Sequence, residues 1–288
     1  MRKIQELKNG LRFINIPMSG TKTATILVMV ATGSKYENKN NSGISHFLEH
    51  IFFKGTKKRP NALAITGELD SVGGVYNAFT GKEYTGFWVK VDAAKIGLAM
   101  DVVSDMLLNS KMESNEIERE KGVIMEEINM YQDNPIMHIE DLFEECLYGD
   151  QPAGWDTIGT KENVSRFKKK DFVDYFKAQY GAQNIIVCVA GNMGITNYEL
   201  RITNLLKRYF SKLKRSEQAK KLSVIEKQEK PKIKTLYKKT DQAHLSLGVR
   251  AFSLGHKDEF VLKVLSIILG GSMSSRLFLE LRERRGLA

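Results

Sequence analysis

The sequence predicts an α+β fold, a mixed and largely antiparallel sheet flanked by helices, and three observations carry that expectation. Runs such as Ala24-Thr25-Ile26-Leu27-Val28-Met29-Val30 are rich in β-branched residues, and Val75–Thr80 and Tyr84–Val91 alternate about a Gly81-Lys82-Glu83 turn, which is a hairpin signal. Amphipathic stretches of helical period lie between the β runs. The stretch from Ala243 repeats the order of the stretch from Ala24: a β run, a short polar turn, then an apolar helix. With 288 residues, 42% hydrophobic and 27% charged, the chain suits one full domain and part of another, and is neither disordered nor fibrous.

In chain order, Leu11–Pro17 and Thr23–Ala31 read as strands. Asn41 or Ser42 is expected to cap a helix that starts near Gly43. A loop over Lys54–Pro60 precedes a short helix, Asn61–Val72, which Gly73-Gly74 ends before the hairpin. Helices follow at Asp92–Leu108 and at Asn115–Gln132, the latter capped by Ser114. Ile136–Leu147 is a further helix, Gly149–Gly159 a loop, Lys168–Gln179 a helix and Asn184–Ala190 a buried strand. Asn197–Phe210 closes a first domain spanning residues 1–211. Residues 212–232 are polar and charged without apolar periodicity, which marks a linker. A second domain, 233–288, opens with β runs at Ile233–Lys239 and around Ala243–Val249. It is too short to close a core, so the chain reads as the N-terminal part of a longer protein.

The chemistry concentrates in Gly43–Gly55. His46 and His50 stand four apart, about 40° from each other on a helix, with Glu49 beside them. Ile44, Phe47, Leu48, Ile51, Phe52 and Phe53 make the rest apolar, so the helix is buried and its polar side chains need a partner that satisfies them. A divalent metal is such a partner: neutral imidazole suits zinc, and a carboxylate outside the coordination shell can accept a proton from water. A satisfied core histidine is the plainer reading, but two of only five histidines fall in this one pattern.

A third ligand is sought on the helix Asn115–Gln132. With Ile117 at 0°, Ile124, Ile128 and Tyr131 fall within about 40°, Glu120 and Glu127 at about −60° and −80°, and Glu126 near 180°. Glu126 therefore faces solvent. Glu120 and Glu127 both lie on the buried side, and helical position does not choose between them.

The order His-x-x-Glu-His, the reverse of the commoner His-Glu-x-x-His, is the inverzincin pattern. On this motif the chain resembles the pitrilysin family of zinc metallopeptidases, which includes insulin-degrading enzyme and the mitochondrial processing peptidase. The family's ligand glutamate lies 77 positions after the second histidine, which selects Glu127 and leaves Glu120 as a supporting catalytic carboxylate one heptad earlier. The resemblance implies a zinc endopeptidase acting on peptides or short unfolded segments, with His46, His50 and Glu127 on the metal and Glu49 as general base. It also implies a protein of two related halves, of which only the first binds metal and the second clamps substrate. A strand of Asn77-Ala78-Phe79 type lies beside the metal in the family and offers its backbone to an extended peptide. Arg282 matches a family arginine that reaches the substrate; the tyrosine seven positions later would be residue 289. The alternative is a non-catalytic or regulatory subunit of a peptidase-like pair, although such relatives characteristically lose motif residues and this motif is intact.

The formal charge of +10 is local: residues 201–239 hold 14 Lys and Arg against three glutamates, so the remainder is near neutral. That is a solvated basic segment without aromatic interleaving, and no nucleic-acid partner is expected. Cys146 and Cys188 lack metal spacing and read as buried thiols. No apolar run approaches a membrane span and the N-terminus has no signal core, so a cytoplasmic protein is expected, with no membrane partner. The expected partners are the peptide substrate and a second copy of the chain or a related subunit.

Overall fold

The computed structural model describes residues 4–192, 198–217 and 220–288. Six strands, β1 (Gln5–Glu6), β2 (Arg12–Pro17), β3 (Thr23–Val30), β4 (Val75–Thr80), β5 (Thr85–Asp92) and β6 (Ile185–Gly191), form one sheet in the order β1-β2-β6-β3-β5-β4. Among the described residues only the β2–β6 pairing is parallel, so the sheet is mixed and largely antiparallel as expected. Alternation along β3 explains its central place. Ala24, Ile26, Val28 and Val30 are buried, and their register partners Val187, Val189, Phe87, Val89 and Val91 extend the same apolar face.

The first unit, Met1–Ser246, carries the helices α1 (Ile44–Phe52), α2 (Ala62–Asp70), α3 (Ile96–Asn109), α4 (Ser114–Asp133), α5 (Pro135–Tyr148), α6 (Lys161–Arg166), α7 (Lys169–Gln179) and α8 (Tyr198–Phe210). Buried side chains of α1, α3, α4, α7 and α8 join the sheet in one core, with the Phe52 ring edge-on to Phe87 at 5.4 Å. Each fully buried side chain of this size contributes about 1.5–3 kcal/mol, so Phe47, Leu48, Ile51 and Phe52 anchor α1 firmly. The expected Asn197 start of the last helix lies outside the described residues.

Both expected helix caps are corrected. The residue before α1 is Gly43, not Asn41 or Ser42, and the end is capped from a distance: Gly43 N–H and Ser45 N–H each donate to the Glu37 carboxylate at 2.8 Å. Gly43 has φ +94°, and a Cβ there would meet the Ile158 carbonyl at 2.5 Å, so the loop before α6 leaves room for glycine alone. At α4, Ser114 is the first helical residue and Glu113 precedes it, with no side-chain cap. Asn61 does cap α2, accepting from Ala64 N–H at 2.9 Å. Helix α6, for which no local signal was read, starts at a Thr160 cap.

Residues 233–239 and 243–249 form no strand, contrary to expectation. Ile233, Tyr237, Leu245 and Leu247 are 89–92% exposed. A β run without neighbouring strands has no ladder to join, whatever its propensity. The basic segment nonetheless has fixed contacts: Lys221 pairs with Glu83 at 2.6 Å, and Ile225 N–H donates to Gln151 at 2.8 Å. The second unit, Leu247–Ala288, contains the apolar helix α9 (Glu259–Gly270) and a π-helical turn, Phe278–Glu283.

Candidate metal centre

Because α1 buries five large apolar side chains, its remaining face is fixed in direction, and that face carries His46, Glu49 and His50. Helix α4 packs beside it and presents Glu120 and Glu127 on the shared side, while Glu126 is exposed. Among the described residues, one group of His, Cys, Asp and Glu side chains brings three ligand atoms within 4.8 Å of one another: His46, His50 and Glu127.

The distances within that group test whether a metal fits. His46 Nε2 lies 3.7 Å from Glu127 Oε1, and His50 Nε2 lies 3.6 Å from Glu127 Oε2. Both are too long for hydrogen bonds. Ligands about 2.0–2.1 Å from a tetrahedral zinc stand about 3.4 Å apart, so the spacing fits an ion between them. The charges agree. Burial, with His50 adding to it, pushes the His46 imidazole down to about 3, leaving it a neutral donor. Burial raises the Glu127 carboxyl against the opposing pull of His50, with Asp156 and Glu120 adding repulsion. Two imidazole nitrogens and a carboxylate are a donor set for zinc.

The surrounding groups orient this set. Glu120 is 4% exposed; its Oε1 lies 2.9 Å from His50 Nδ1 and its Oε2 2.6 Å from Lys54 Nζ. The hydrogen bonds from Lys54 and His50 outweigh burial and hold Glu120 below the usual carboxylate range. Among the described residues His46 Nδ1 is buried without a hydrogen-bond partner, and of the two imidazoles His50 has this outer support. Glu49 accepts a hydrogen bond from Thr80 Oγ1 at the end of β4, and burial raises its carboxyl toward neutrality despite that bond.

Asn77, Ala78 and Phe79 lie on β4, the last strand in the sheet order, which among the described residues pairs only with β5. Asn77 and Phe79 are exposed, and Ala78 N–H is taken by the Asn77 side chain at 2.9 Å. Arg282 belongs to the second unit, in the turn Phe278–Glu283, with its guanidinium 5.4 Å from the Phe278 ring centroid. His138 lies on α5, half-buried, and is not part of the cluster.

Three contributors escaped the sequence reading. Lys54 could have been found, since it continues the His46–His50 spacing by another four residues. Thr80 and Glu37 could not, because tertiary packing alone brings them to α1.

Comparison with known proteins agrees with this architecture. Residues 13–161 match the family model for insulinase (peptidase family M16), and residues 166–288 match that of the peptidase M16 inactive domain. The chain is 38% identical over 292 residues to the uncharacterized zinc protease YmxG of Bacillus subtilis, covering 100% of this chain and 68% of that protein. It is 34% identical over 284 residues to an uncharacterized zinc protease of Mycobacterium bovis, covering 98% of this chain and 64% of the relative. The crystal structure of a protease from Helicobacter pylori superposes with a TM-score of 0.84 at 25% identity, over 100% of this chain and 70% of that one. The chain thus spans about two thirds of the length of these relatives. Metal-capable cluster, sheet topology and sequence all lead to one conclusion: the chain belongs to the insulinase family of peptidases, M16.

Proposed function

We propose that the chain is the metal-bearing part of a zinc endopeptidase. The observation that carries the proposal is the triad of His46 Nε2, His50 Nε2 and the Glu127 carboxylate, spaced 3.6–3.7 Å across and unable to satisfy one another by hydrogen bonding. His46, His50 and Glu127 would hold zinc, which supplies Lewis acidity toward a peptide carbonyl and makes water a better acid. Being named zinc proteases, the relatives support the choice of ion.

The remaining steps belong to the chain's own residues. Glu49 has one oxygen engaged by Thr80, which fixes its rotamer and leaves the other free to take a proton from the attacking water. Its burial raises its proton affinity, which suits a base that must hold the proton and then deliver it to the leaving amine. Glu120 fixes His50 through Nδ1, so that Nε2 stays bare toward the metal position. The exposed edge of β4 offers backbone groups to an extended peptide, with Asn77 releasing Ala78 N–H as the peptide pairs. A substrate read through backbone pairing is selected for extended conformation more than for sequence. The portion matched as an inactive domain begins at residue 166 and contains none of these side chains, so the reading places catalysis before it.

Glu49→Gln tests the role of the base. The variant is expected to bind zinc as the wild type does and to cleave a quenched fluorescent peptide about 10²–10⁴-fold more slowly, measured in a chain carried to the relatives' full length. Wild-type turnover with zinc bound would remove Glu49 from this role.

A further inference from the structure

Proton transfer and metal ligation leave Lys54 without a role, although it completes a line of contacts into the site. Lys54 Nζ lies 2.6 Å from Glu120 Oε2, and Glu120 Oε1 lies 2.9 Å from His50 Nδ1. The two oxygens of one buried carboxylate are thus divided between a lysine and a histidine. The terminal torsion of a glutamate is broad and roughly two-fold, so a carboxylate held at one oxygen alone swings widely. Held at both, it has one orientation.

Lys54 is itself fixed. It stands just beyond the end of α1, where its N–H donates to Ile51 O at 3.1 Å. The loop that follows is fastened to the α3–α4 connection by Lys111 N–H on Gly55 O at 3.1 Å and by a Thr56–Ser110 bridge. Arg59, 1% exposed, closes the loop onto Asp101 and Glu68 at 2.7 Å and Asp105 at 2.9 Å. The lysine therefore reaches Glu120 from a braced position and ties α4 to α1 at the level of His50. Among the described residues His46 has no equivalent support, since its Nδ1 finds no partner there. Alignment of the donor set then depends on His50, and on whatever holds Glu120.

We propose that Lys54 is a positioning residue: by holding Glu120 Oε2 it keeps Oε1 on His50 Nδ1, so that His50 Nε2 stays bare and aimed at Glu127. The consequence for metal binding rests on the reading of His46, His50 and Glu127 as ligands; the consequence for the imidazole tautomer does not.

The test uses Lys54→Met, Lys54→Gln, Lys54→Arg, Glu120→Gln and the Lys54→Met/Glu120→Gln double variant, each checked for native circular dichroism. Zinc affinity is read by chelator competition, and the His50 tautomer by ¹⁵N shifts of the metal-free protein. Outer partners of a metal-bound histidine are typically worth 10–100-fold in affinity. Lys54→Met and Lys54→Gln are expected to bind zinc about 10-fold more weakly, with Lys54→Arg recovering most of the loss. In the Glu120→Gln background Lys54→Met is expected to add nothing. Metal-free wild type is expected to hold His50 as the Nδ1–H tautomer, and Lys54→Met as a mixture. Unchanged zinc affinity and tautomer in both neutral variants, or additive losses in the double variant, would overturn the proposal. A wild type that binds no zinc, yet loses its single tautomer in Lys54→Met, would uphold the positioning role while defeating the metal reading.

Discussion

Asp141 shows what individual side chains near this site withstand. Burial together with the neighbouring Asp156 and Glu144 carboxylates raises its carboxyl to about 6, against an ordinary 3.8, with Lys82 only partly opposing them. Between those two values the folded chain holds a proton that the unfolded chain has released. The contribution to stability is therefore complete below about 3.8 and is lost as the pH rises through about 6. Asp141→Asn should then stabilise the protein at pH 7.5 by about 1 kcal/mol after solvent screening, and leave it nearly unchanged at pH 3.5. Urea unfolding at the two pH values checks this; an equal shift at both would mean that charge repulsion is not the cause. At this scale the sequence was legible wherever residues sat on one helix. His46, Glu49 and His50 followed from spacing in α1, and the burial of Glu120 against the exposure of Glu126 followed from the helical angle in α4. The choice of Glu127 over Glu120 came from family resemblance. Glu37 and Thr80, arriving from other elements, left no local trace.

The elements themselves were read best where they pack, and worst where they end. Strands β2 to β6 and helices α1 to α5 and α7 match their expected places within a few residues, because apolar periodicity of 2.0 or 3.6 records which face is buried. Caps failed at α1 and α4 because one is supplied by a distant carboxylate and the other by no side chain. The two β runs after residue 232 failed for a different reason: propensity marks a strand, but only neighbouring strands make one. The loop between α1 and α2 depends most on buried charge. Arg59 is 1% exposed and holds Asp105, itself 7% exposed, together with Asp101 and Glu68. Arg59→Ala would leave Asp105 buried beside no cation. The expected loss is about 3–5 kcal/mol, a fall of roughly 10 °C in Tm by calorimetry. A fall under 2 °C would show that the loop is held by its backbone bonds alone.

For the whole molecule, one well-packed sheet-and-helix unit carries the candidate metal centre and its supporting groups, from Glu37 through Glu127. The described residues contain no helix long and apolar enough to cross a membrane. Family membership and the zinc-protease names of the relatives extend over about two thirds of those relatives' length, so turnover is best measured in a protein of their full size. The three proposed ligands, His46, His50 and Glu127, all lie in the first unit. Zinc content per folded chain, measured by mass spectrometry after exhaustive dialysis, therefore tests the central claim most directly. One equivalent is expected in the wild type, in Glu49→Gln and in Glu126→Ala, and a loss of most of it in Glu127→Ala, with circular dichroism unchanged throughout. A folded wild type without zinc, or a Glu127→Ala variant that keeps its full equivalent, would contradict the account.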